Sequence, residues 1–94
     1  MTATNEQAFD MLADLIDPMS RIAQNEKVKE VREKEGSTMI DVAKTILKSC
    51  GNDLLEVFAI MDGEPVEGYT ITASGAFGKL IAILNDEGLR SFLI

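Results

Sequence analysis

A chain of 94 residues allows one domain, and a domain of this size buries only roughly two-thirds of the surface its unfolded form exposes. Sixteen acids against nine bases, net −7, exclude a phosphate-dominated nucleic-acid interface and an affinity for anionic membranes, because both need surplus Lys and Arg. One cysteine and no histidine remove an internal disulfide, a thiolate metal site and the commonest general base.

Residues 1–4 are expected to be flexible, and a single helical domain to span 5–94. Thr4-Asn5-Glu6-Gln7 has the form of a capping box, in which side chains satisfy the first N–H groups of a helix. Ala8, Met11, Leu12, Leu15, Ile16, Met19, Ile22 and Ala23 follow at spacings of three and four, a helical stripe. Asp17-Pro18 interrupts it. Proline cannot donate to the preceding turn, so the pattern predicts a first arm kinked at Asp17-Pro18, or a restart with Asp17 as N-cap. In NEKVKEVREKE, residues 25–35, only Val28 and Val31 are apolar. A solvated extension of the first arm is expected there, with Lys29/Glu33 and Glu30/Lys34 paired one turn apart and Gly36 ending it in the left-handed conformation.

Ser37-Thr38 then caps a helix with Asp41 near its positive end, and Met39, Ile40, Ala43, Ile46, Leu47 and Cys50 read as its inner stripe. Cys50 is therefore expected to be a buried structural thiol. Gly51 reads as a stop, and Asn52 or Asp53 as the start of a helix antiparallel to the last. Leu54, Leu55, Val57, Phe58, Ile60 and Met61 cover most of that helix, which places it centrally. Asp62-Gly63 ends it. Glu64-Pro65 reads as a new helical start, with Val66 and Tyr69 tucked under Met61. Residues 68–72 stay open between loop and short strand. A helix over 73–84 follows, capped by Thr72 or Ser74, with Gly75 and Gly78 expected to permit close helix packing at roughly 1 kcal/mol each relative to Ala. Asn85-Asp86 begins a last short helix carrying Leu89, Phe92 and Leu93. The expectation is all-α: a compact bundle of five to six short helices.

Two motifs invite a chemical reading. Asp62, Glu64 and Glu67 crowd one corner, but a calcium loop needs glycine sixth and glutamate twelfth, and counting from Asp62 those places hold Glu67 and Ala73. SGAFGKL has two residues between its glycines and Leu80 after Lys79, where a phosphate loop needs four and then Ser or Thr. No catalytic, metal or cofactor residue is assigned, and the chain reads as no enzyme. Apolar features are the better lead. The chain closes on Phe92, Leu93 and Ile94, where polar residues are usual; these either dock on its own core or face a partner. Met11, Met19, Met39 and Met61 suit varied apolar helices, or else fill the core. Met11, Leu15, Met19, Phe92, Leu93 and Ile94 are thus the candidate partner or self-association surface. No apolar run approaches the ~18 residues of a membrane span, and MTATNEQAFD lacks the order of a signal peptide, so a cytoplasmic chain is expected.

In this order, AFDMLADLIDPMSRIAQNEKVKEV, DVAKTILKSCGNDLLEVFAIMDGEPVE and LIAILNDEGLRSFL resemble the small tail assembly chaperones encoded beside the tape measure gene of long-tailed bacteriophages and prophages. The likeness covers about residues 8–93 and is nearest over 53–67 and 80–93. It implies an all-α, non-enzymatic adaptor that binds the tape measure protein, keeps it soluble and helps recruit tail tube protein. It further implies a homo-oligomer in the bacterial host cytoplasm that is absent from the mature virion. Pro65 stands where Thr is more usual in that family, and Gly68, Gly75 and Gly78 loosen a stretch expected to be regular helix. The alternative is a bacterial regulatory or antitoxin-like helical interaction module.

Overall fold

Of three joints of one residue each, the first two set the path of the chain over residues 5–93, the part that the computed structural model of the protein describes. α1 (Asn5–Gln24) passes to α2 (Glu26–Glu33) through Asn25, and α3 (Met39–Ser49) passes to α4 (Gly51–Asp62) through Cys50. α5 (Ala73–Asn85) and α6 (Glu87–Leu93) complete six helices, with no strand among the described residues. The fold is all-α.

The first break in the helices falls at Asn25, beyond the proline. α1 runs unbroken through Pro18, without the restart at Asp17. The carbonyl that Pro18 cannot serve belongs to Asp14, an exposed residue within reach of water, while the proline ring itself is buried. The chain turns instead at Asn25, whose side-chain oxygen accepts from the N–H groups of Lys27 (3.0 Å) and Val28 (3.2 Å) and so caps α2. Arg32 reaches back to donate to the carbonyl of Ala23 at 2.9 Å, serving the open end of α1. α2 stops at Lys34, two residues before Gly36, whose φ of +85° makes the turn. Neither Lys29/Glu33 nor Glu30/Lys34 closes to ion-pair distance; the pairs among the described residues belong to Arg21 and Lys79.

α3 opens with a reciprocal capping box. The Thr38 hydroxyl accepts from the Asp41 N–H (3.3 Å), and the Asp41 carboxylate accepts from the Thr38 N–H (2.9 Å). The Thr38 backbone N–H, and then its hydroxyl, hold the Asp41 carboxyl below its ordinary range. Of the predicted stripe, Ile46 and Cys50 are buried and Ala43 partly so, and Val42, which the stripe left out, joins them. Met39, Leu47 and especially Ile40, at 71% exposure, face outward. The apolar residues of this helix fill a broad arc of roughly 160° from Val42 to Ile40, wider than the face the core covers, so spacing alone did not select which edge turns inward. Packing against α2, where Val28 is buried and Val31 partly so, selected it.

Gly51 lies inside α4 rather than stopping α3; Cys50 is the joint, and its thiol is buried. α4 is central as predicted, burying Leu54, Val57, Phe58 and Ala59. Its principal neighbour, however, is α1, while α3 pairs with α2; the expected α3–α4 pairing is secondary. The end of α4 is a complete left-handed stop. Gly63 (φ +70°) donates to the Ile60 carbonyl at 3.1 Å, and Glu64 donates to the Ala59 carbonyl at 2.9 Å.

No helix follows at Glu64-Pro65. Residues 64–72 run as a connection with a tight turn, in which the Tyr69 N–H donates to the Val66 carbonyl (3.2 Å) and Gly68 supplies the positive φ of +76°. Tyr69 and Ile71 pack against the core, whereas Val66 stays exposed. Thr72 caps α5 by accepting from the Gly75 N–H at 3.0 Å. The glycines of α5 do not mediate helix packing. A Cβ on Gly75 would press on its own cap, 3.0 Å from the Thr72 hydroxyl, and one on Gly78 would point into open space. Asp86 then caps α6 by accepting from the Leu89 N–H at 3.1 Å.

One apolar cluster joins α1 through α5: Leu15, Met19 and Ile22 with Val28, Val42, Ile46, Leu54, Phe58, Leu80 and Ile83. Replacing Ile46 by Ala, inside it, is expected to cost about 2–5 kcal/mol in urea unfolding. Ile40→Ala, outside it, should stay within about 0.5 kcal/mol. Comparable losses at both positions would contradict the observed rotation of α3.

Candidate interaction surfaces

The acidic corner at residues 62–67 resolves into one engaged carboxylate and two solvated ones. Asp62 accepts a hydrogen bond from the Tyr69 hydroxyl at 2.6 Å and pairs with the Lys79 ammonium, so it ties the end of α4 to the connection and to α5. Those two donors, Lys79 first, hold its carboxyl below the ordinary range. The same contact, helped by some desolvation, pushes the Tyr69 phenol up to about 12, because a phenolate would face the Asp62 carboxylate. Glu64 and Glu67 are exposed. Among the described residues no group of three or more His, Cys, Asp or Glu converges to hold a metal ion. Burial pushes the Cys50 thiol up, away from thiolate chemistry.

Apolar surface is the more distinctive feature. At roughly 100° per residue, three arcs follow one another round α1. Leu15, Met19 and Ile22 face the core; Leu12, Ile16 and Phe9 come next and are exposed, Phe9 at 70%; Glu6, Asp10, Asp14 and Asp17 form an exposed acidic row beyond them. On α3 the side chains next to the apolar arc are basic. Val42, Ile46 and Cys50 face inward, Ala43, Leu47 and Ile40 come next, and exposed Lys44 and Lys48 follow. Lys44 and Lys48 also wall the shallow cleft between α2 and α3, together with Lys27 and Lys34. Charge is segregated accordingly: residues 26–50 hold six bases and five acids, leaving three bases and eleven acids elsewhere.

A separate apolar groove lies where α3, α4 and α5 approach, lined by Leu47, Leu54, Leu55, Phe58, Ile71 and Ala76, with exposed Asn52 at its rim. At about 280 Å³ it is small for a ligand pocket, which runs roughly 300–1,000 Å³. Open and apolar, it matches one or two side chains of a docking helix better than an enclosed small molecule.

The sequence-based surface is redistributed by the fold. Leu15 and Met19 are core residues, at 3% and 1% exposure, and Met11 packs partly against the same cluster. They cannot form an outer face while the domain is folded. Met61 is also partly buried, so of the four methionines in the proposed stripe only Met39 is exposed. α6 extends to Leu93, but the side chains of Phe92 and Leu93, together with Ile94, lie outside the described residues, as do Thr4 and the rest of residues 1–4. Phe9, Ile40, Phe77 and the groove residue Leu55 were not among the candidates. A signal for Phe9 was present: it stands in α1 outside the stripe that serves the core. No helix among the described residues is long and apolar enough to cross a membrane.

Compared with known proteins, the chain matches no family model, no curated sequence and no solved structure.

Because Asp62 holds Tyr69 neutral, the pair contributes stability below pH 10, where an unfolded phenol keeps its proton, and loses it as pH rises toward 12. Ultraviolet titration of the single tyrosine should give a midpoint near 12, and Asp62→Asn should lower it toward 10. An unchanged midpoint in that variant would dismiss the contact.

Proposed function

We propose that the chain is a non-enzymatic assembly chaperone of the phage-tail type, an adaptor that holds the tape measure protein and helps recruit tail tube protein in the host cytoplasm. The observation that supports this reading best is the apolar groove between α3, α4 and α5, open to solvent and lined almost wholly by carbon. A long apolar helical client needs shallow sites of this kind, each covering one or two side chains until assembly displaces them. An affinity that must later be surrendered argues for a small contact rather than an enclosing one. The resemblance over residues 8–93 supplies the identity of the client, and the acidic body opposes non-specific attachment to nucleic acid.

Asn52 offers a clean test, because it is exposed and belongs to the groove rim rather than the core. Co-expression with segments of a tape measure protein should keep them soluble and co-purifying. Asn52→Trp, which fills the groove, should weaken that capture about tenfold or more while leaving the helical circular dichroism unchanged. Capture that is absent from the start, or indifferent to Asn52→Trp, would remove the proposal. Stoichiometric retention of a toxin or transcription factor instead would favour a regulatory module.

A further inference from the structure

Residues 64–72 join α4 to α5 with little backbone attachment. Glu64 belongs to the stop of α4, and Thr72 to the cap of α5. Between them the Tyr69 N–H bonds only within the segment, to the Val66 carbonyl. Among the described residues no other backbone group of 65–71 is hydrogen-bonded, and every residue of that stretch except Tyr69 and Ile71 is exposed. Two side chains therefore hold the segment to the body. Both pack partly against the core, and the Tyr69 hydroxyl also donates to Asp62 at 2.6 Å.

Ile71 is also a wall of the groove between α3, α4 and α5. It rests on the bare backbone of the first turn of α5: a Cβ on Gly75 would stand 3.2 Å from its Cγ1 and 3.7 Å from its Cδ1. Gly75 thus leaves the space that Ile71 takes. With Ile71 in place the groove holds about 280 Å³; without it the groove runs on over Gly75. The floor cannot yield in this way, since Leu54 and Phe58 are core side chains of α4. Lifting Ile71 breaks no helical hydrogen bond, and local opening costs only the contacts it breaks. Those are the Tyr69–Asp62 bond and the partial burial of two side chains.

We propose that residues 64–72 are a strap gating this groove: Ile71 fills its end over Gly75, the Tyr69–Asp62 bond latches the strap, and an apolar side chain of the partner enters in place of Ile71. The inference rests on the groove being the partner site. Asp62 suits the latch because its other oxygen pairs with Lys79 of α5, so the acceptor stays fixed at the end of α4 when the strap lifts. Binding is then coupled to release of the strap, and the apparent affinity is the intrinsic affinity reduced by the fraction of molecules in which the strap is open. Weakening the latch raises that fraction and tightens binding. Loss of a contact that merely supported a preformed site would do the reverse.

Nile red, a neutral apolar dye that brightens out of water, serves as the probe in fluorescence titrations of the full chain. The component of binding that Asn52→Trp removes is binding in the groove, which separates it from dye on the exposed faces of α1, α3 and α5. Tyr69→Phe keeps the ring and removes the donor, and should tighten that component about fivefold, the effect of one lost hydrogen bond on the closed state. Ile71→Ala, which empties the end of the groove with the latch intact, should tighten it as well. Adding Tyr69→Phe to Ile71→Ala should then change little, because the latch acts through Ile71. Circular dichroism checks folding, and Asp62→Asn serves as a second latch variant with the same direction of effect. Groove binding unchanged or weakened by Tyr69→Phe, or full additivity of the two substitutions, would overturn the strap and leave the groove standing. Absence of any component sensitive to Asn52→Trp would overturn strap and groove together.

Discussion

The packing of α4 against α1 is the contact on which the other elements depend. Leu15, Met19 and Ile22 on one side and Leu54, Val57 and Phe58 on the other are buried, and each such side chain contributes roughly 1.5–3 kcal/mol when removed from water. Across the same pair, Arg21 donates to Asp53 at 2.7 Å and also pairs with Glu56. That fork is half-exposed, and water screens such surface pairs until they hold little of the stability. Burial therefore holds the helices together, while the guanidinium helps to set how α4 is turned against α1. Once α1 and α4 are joined, the joints at Asn25 and Cys50 leave α2 and α3 little choice but to pair with each other.

That constraint also accounts for the exposed apolar faces. A chain of this length carries more apolar helix surface than its core can enclose. α1 and α3 each commit one arc to the core and leave the neighbouring arc outside, and α5 leaves Phe77 and Ile81 outside in the same way. Single exposed apolar residues are ordinary on any surface. A strip at helical spacing beside a row of one charge is less so, and a groove walled by Leu54, Leu55 and Phe58 less again.

Asp62 illustrates how little an acidic cluster says by itself. In the sequence it stands with Glu64 and Glu67 as three equivalent carboxylates. In the fold one of them is a structural tie among α4, Tyr69 and Lys79, and the other two face solvent. Lys79 is seventeen residues away from Asp62, so no local pattern could have announced the pair.

Much of the architecture was legible without coordinates, because it rests on interactions within a few residues. The Thr38 and Thr72 caps, the Gly63 stop, the Asp86 start and the helical character of 73–85 all follow from side chains reaching backbone groups one turn away. The all-α class follows from the same local chemistry. Where the reading failed, the deciding partner was remote or the local signals conflicted. The restart considered at Asp17 is absent, since α1, anchored by Leu15 before Pro18 and Met19 after it, runs through as one helix. α3 has an apolar arc broader than the core can cover, with Val42 at one edge and Ile40 at the other, and contact with α2 chose Val42 as the inward edge. Glu64-Pro65 has the form of a helix start, yet Gly68 with positive φ and the tether from Tyr69 to Asp62 hold that stretch as a turn. The sequence alone therefore determined the all-α class and most of the helix ends, since those are largely short-range hydrogen-bonding questions. Only the tertiary structure decided which face of each helix is buried in the core and which stays exposed, because that is settled by burial among residues far apart in the chain.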